Sequence, residues 1–143
     1  MEDLSCVDNQ ISSLNVSNNL AIKRLICGNN QLESLNLSNI TTLEVLDCWG
    51  NQLSSINVND NTSLVTLFCE NNLLTSLSVD NNILLEELTC YNNLIQTIDV
   101  SNNPFLRFFD CENNYSLLEI WLKTGQSITT FQHDNTAIIQ YKN

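Results

Sequence analysis

Six cysteines and one histidine are the side chains of this sequence best suited to chemistry. A thiol beside an imidazole is the pair a cysteine nucleophile needs. Clustered thiolates could hold zinc, and an even cysteine count in a short chain fits a disulfide framework. Spacing discriminates among these readings. Cys6, Cys27, Cys48, Cys69, Cys90 and Cys111 stand 21 residues apart throughout, the signature of a structural repeat. If each repeat is one turn of a parallel stack, the sulfurs form a file with backbones about 4.8 Å apart and side chains pointing one way. A disulfide needs Cβ atoms facing each other at about 3.8 Å. A straight file cannot enclose a tetrahedral metal, and no CxxC is present. The thiols therefore read as free, buried hydrophobes. His133 falls in the same column one turn on, facing inward as a capping residue, without a third orienting group or an oxyanion pocket. The expectation is a protein that is not an enzyme and uses no metal or cofactor. Asn-Asp stretches at 57–63 and 78–83 lack the glycine-containing loop and terminal glutamate of a calcium site, and turn chemistry accounts for them.

The other columns of the repeat define the elements that hold these residues. With position 1 at Met1, Ile22, Leu43, Leu64, Leu85 and Leu106, position 4 carries Leu4, Leu25, Leu46, Leu67, Leu88 and Phe109. Position 9 carries Asn9, Asn30, Asn51, Asn72, Asn93 and Asn114, so each unit reads LxxLxCxxN. Alternation at positions 4 and 6 is that of a short strand with those side chains inward and positions 3, 5 and 7 outward. The asparagine ends the strand, where its amide can bond backbone groups that no ladder occupies. A second, looser half follows in each unit, as in Ile11, Leu14, Val16 and Asn19, and is too short for a helix. After Asn114 the register slips by one residue: Leu117, Ile120 and Leu122 sit one place late, and Ile128, Phe131 and His133 carry the shift on while Asn135 keeps the old register. The two registers cannot both hold. Residues 1–122 thus form six repeats and 123–143 a degenerate seventh turn that caps the core. Met1 on a repeat position implies trimmed upstream sequence, and an uncapped first strand could pair with another copy edge to edge.

These residues resemble the leucine-rich repeat family, in the 21-residue nested type called IRREKO, and its cysteine form common in Bacteroidetes proteins. The resemblance implies a right-handed solenoid or horseshoe with a parallel β-sheet on the concave face, an extended or short-strand convex side and little or no helix. It also implies a protein-binding role, and an extracellular or cell-surface setting.

A formal charge of −11, from sixteen acids against five lysines and arginines, excludes a basic face for nucleic acid or anionic membrane. No apolar run approaches the roughly 20 residues of a membrane-spanning helix. Function can be written where the fold dictates nothing, at the outward strand positions. Trp49, Phe68, Tyr91 and Phe108 fall there, interleaved with Asp47, Glu70, Glu87, Asp110 and Glu112. Aromatic rings are frequent binding anchors, and surrounding acids attract basic partners. The sequence therefore predicts a module that binds a protein of basic or neutral surface, with Trp49 as the leading anchor. Glycan binding is the alternative, since rings flanked by carboxylates also suit sugars, and a structural spacer of a longer surface protein is the other.

Overall fold

Each position-4 residue sits at the centre of a three-residue strand: β1 (Asp3–Ser5), β2 (Arg24–Ile26), β3 (Val45–Asp47), β4 (Thr66–Phe68), β5 (Glu87–Thr89), then β7 (Phe108–Asp110) and β9 (Thr130–Gln132). A computed structural model describes residues 1–143. These strands pair in parallel as a seven-stranded sheet in the order β1-β2-β3-β4-β5-β7-β9. In-register partners such as Leu25↔Leu46 and Leu67↔Leu88 stack leucine on leucine. The second half-turns carry strands only toward the C-terminus, where β6 (Thr97–Asp99), β8 (Glu119–Lys123) and β10 (Ile138–Lys142) form a three-stranded sheet in the order β10-β8-β6. There is no helix. The chain is a parallel β-solenoid of about seven turns, with the larger sheet as its concave face.

Between the two sides lies one core of 31 buried residues, made of the leucine, isoleucine, valine and cysteine columns. Cys27, Cys48, Cys69, Cys90 and Cys111 are buried in it and Cys6 is half-buried, all as free thiols. Burial pushes the Cys27 thiol up to about 12 and raises those of Cys48, Cys69, Cys90 and Cys111 as well.

The position-9 asparagines close each turn in the same way. Asn51 Nδ2 donates to the carbonyls of Cys48 (3.0 Å), Trp49 (3.2 Å) and, one turn back, Cys27 (3.1 Å), while its Oδ1 accepts the Leu32 N–H at 2.9 Å. Asn30, Asn72, Asn93 and Asn114 repeat the pattern. The Asn9 side chain, in the first turn, bonds the carbonyls of Cys6 and Val7 and is exposed. The preceding residue has positive φ in every unit: Asp8, Asn29, Gly50, Asn71, Asn92 and Asn113 lie between 50° and 61°. Only glycine, or an Asn or Asp that tolerates the left-handed region, suits that place. A second ladder occupies the other corner, where Asn61, Asn82 and Asn103 are fully buried and each donates to two carbonyls of the turn before.

The shifted register prevails after Asn114. Phe109 pairs with Phe131, their rings stacked at 5.3 Å, so the old-register Asn135 is left exposed. Beside it the Asp134 carboxylate stands in for backbone carbonyls, accepting the N–H groups of Asn113 and Asn114, both at 3.0 Å. Gln126 ends the second ladder, reaching Val100 O at 3.1 Å and Asn103 O at 3.0 Å. His133, expected to be enclosed, is half-buried: it leans on Phe131 at 4.6 Å and turns Nδ1 toward the Asp134 carbonyl at 3.0 Å.

Candidate recognition face

On the concave face the outward side chains form three files running across the strands. Position 5 holds Asp47, Phe68, Thr89 and Asp110, position 3 holds Glu87 and Phe108, and position 7, just past each strand, holds Trp49, Glu70, Tyr91 and Glu112. The strand register sets Thr89 between Phe68 and Asp110, and Glu87 beside Phe108. Seven of these side chains, Phe68, Glu70, Glu87, Thr89, Tyr91, Phe108 and Asp110, line a cavity of about 360 Å³ across turns four to six. Three of the seven are aromatic and three are acids, so a ligand group entering there meets ring faces and carboxylates together.

Internal bonds order the cavity. Thr89, itself buried, donates its hydroxyl to the Glu70 carboxylate. Asp110 accepts the Glu112 N–H at 3.1 Å. From turn six, Arg107 reaches back to Glu87 Oε1 and Glu86 Oε2, each at 3.0 Å. The Glu70 carboxyl stands above its ordinary range chiefly because it is partly desolvated, with the Asp47 and Asp110 charges adding to the shift and the Thr89 bond opposing it. Asp47 is raised for the same first reason, and one of its oxygens is enclosed without a protein partner.

Trp49 and Asp47 lie one turn N-terminal of this cavity. The Trp49 indole lies over Gly28: a Cβ at residue 28 would stand 2.3 Å from Nε1 and 2.4 Å from Cδ1. Gly28 is thus the recess that lets the ring lie down. Trp49 is half-buried, and it occupies the face without lining the cavity. Glu112 also stands outside it. Phe68, Tyr91, Phe108, Glu70, Glu87 and Asp110, by contrast, are brought together around one volume. Sequence reasoning missed Thr89, Gly28 and Arg107. Thr89 and Gly28 were visible as members of the outward columns, but neither residue type marks binding by itself. Arg107 occupies position 2, outside those columns, and only its reach discloses its role.

A parallel solenoid with 21-residue turns, paired asparagine ladders and an internal file of thiols is the architecture of leucine-rich-repeat proteins that carry a cysteine ladder. No family model matches the sequence, and no curated protein does. Solved structures do. The functional domain of InlJ from Listeria monocytogenes, which includes a cysteine ladder, is 28% identical over 97% of this chain, with a TM-score of 0.83. A leucine-rich-repeat protein of Leptospira interrogans is 16% identical over 93% of the chain, with a TM-score of 0.68. The chain spans 35% of the first of these and 41% of the second. Its fold is that of these leucine-rich-repeat structures.

Proposed function

We propose that this chain is a non-enzymatic module that binds a protein partner on its concave face. The observation that carries this reading is the cavity across turns four to six, where Phe68, Tyr91 and Phe108 stand half-exposed among Glu70, Glu87 and Asp110. Half-exposed rings held on a rigid sheet bury area at low entropic cost when a partner arrives. The cysteine ladder that this chain shares with InlJ lies in that protein's functional domain, which supports a working role for such repeats. Asp47, Trp49 and Glu112 extend the face beyond the cavity. Protein is favoured over glycan because Leu73 and Leu94, exposed on the turns leaving the strands, supply aliphatic surface that a sugar would not use.

The test compares the immobilised native chain with a Tyr91→Ala/Phe108→Ala variant in the same protein extract, after both have been matched for melting temperature. A polypeptide held by the native chain, lost from the variant, released by salt and indifferent to oligosaccharides is the expected result. Displacement by oligosaccharides would transfer the face to glycans. Equal retention by both proteins would reject the concave face and leave the structural spacer.

A further inference from the structure

Exposed apolar groups are not spread evenly along the solenoid. On the turn leaving each concave strand, the first three repeats carry Gln10, Gln31 and Gln52, whereas the next three carry Leu73, Leu94 and Tyr115, which are 50%, 49% and 86% exposed. On the turn entering the strand, Ile83, Leu84 and Phe105 are exposed where turns two and three have threonines and serine; outside this stretch the same rim exposes only Leu20, in turn one. Both apolar rims therefore flank the stretch that holds the cavity. Exposed patches of this kind mark contact surfaces.

Charge identifies what enters between them. Of the five basic side chains, Lys23 pairs with Glu2, Arg24 lies 4.0 Å from Asp3, Lys142 bonds Asp99, and Arg107 is held by Glu86 and Glu87. None forms an ion pair with Glu70 or Asp110. The cavity thus keeps two carboxylates without a counter-charge beside three rings whose faces attract cations. Arg107 on Glu87 shows a guanidinium already seated at the cavity edge. A neutral or anionic ligand would leave the acids uncompensated as water is expelled, which is costly.

We infer that the partner's contact segment presents a lysine or arginine side chain between apolar residues, its cationic head entering the space between Phe68, Tyr91 and Phe108 and its neighbours covering the two rims. This rests on the concave face being the binding surface. The probe is acetyl-Leu-Arg-Leu-amide, titrated into the isotopically labelled full chain, beside the same peptide with citrulline, a neutral near-isostere, in place of arginine. Expected are amide shifts at Thr89, Tyr91, Asp110 and Leu94, with the citrulline peptide about tenfold weaker. Glu70→Gln, which keeps an acceptor for Thr89, should bring the arginine peptide down to the citrulline level while the melting temperature holds. Equal binding of the two peptides on the concave face overturns the cation inference and leaves recognition by that face standing. Shifts from both peptides confined to other surfaces overturn both readings. If neither peptide shifts any amide up to its solubility limit, the cation inference fails, and the face is judged by the retention experiment alone.

Discussion

Trp49 and Glu70 are outward residues of the same file, yet their surroundings assign them different work. Trp49 lies over the bare backbone of Gly28, so Gly28→Ala must lift the indole off the sheet. A red shift in tryptophan emission, with a small loss of stability of about 1 kcal/mol, is the expected outcome of that substitution. Glu70 is a carboxylate held partly out of water, with a pKa raised above that of the unfolded chain. A group shifted in this direction contributes stability that is present below its unfolded pKa and lost as pH rises through the folded value. Asp47 has the same sign. Mild acidification from neutrality should therefore favour the fold through these two residues, and Glu70→Gln should hold or raise the melting temperature at pH 7. The same titration should weaken a cationic ligand from a pH above the usual carboxylate range, since Asp47 and Asp110 both face Glu70 while Glu87 remains paired with Arg107. Thermal melts and peptide titrations across pH check the two opposed trends.

At the scale of the element, stability resides in how each turn closes. Asn72→Ala would leave the Leu53 N–H without a partner and take one of two donors from each of the Cys48, Cys69 and Glu70 carbonyls, at a cost of about 1 to 3 kcal/mol. Asn9→Ala, at an exposed corner with two bonds, should cost less than about 1 kcal/mol. Chemical denaturation of the two variants measures the contrast. Asp134→Ala should loosen the last turn by about 1 to 3 kcal/mol, through the Asn113 and Asn114 N–H groups. Strand spacing, core columns and asparagine turns were legible because each recurs with one period. Which register survived the insertion at the sixth turn was not. Ring stacking of Phe131 on Phe109 and a side-chain carboxylate standing in for backbone carbonyls decided it, and neither leaves a periodic trace. An extended or short-strand convex side was legible, but not that its strands would appear only toward the C-terminus. They form where the half-turns become rich in β-formers, as in Thr97–Asp99 and Ile138–Lys142, while earlier ones keep Ser and Asn. The face itself was readable as a set of outward residues. Its concentration into a cavity at turns four to six was not, because that depends on which neighbours fall beside one another.

For the whole molecule, the thiol file has a measurable signature. Cys6 is half-buried in the first turn, whereas the other five sulfurs are enclosed. Alkylation at pH 8 should modify Cys6 first and reach the rest only as fast as their turns open, since an enclosed thiol meets neither the reagent nor the water that would stabilise its thiolate. Mass spectrometry of partly labelled protein would rank the turns by opening rate. Small domains that depend on disulfides lose their shape when reductant is added. Here the enclosed sulfurs act as hydrocarbon, so reductant has no bond in this framework to break. The concave sheet should therefore keep its shape when reductant is added.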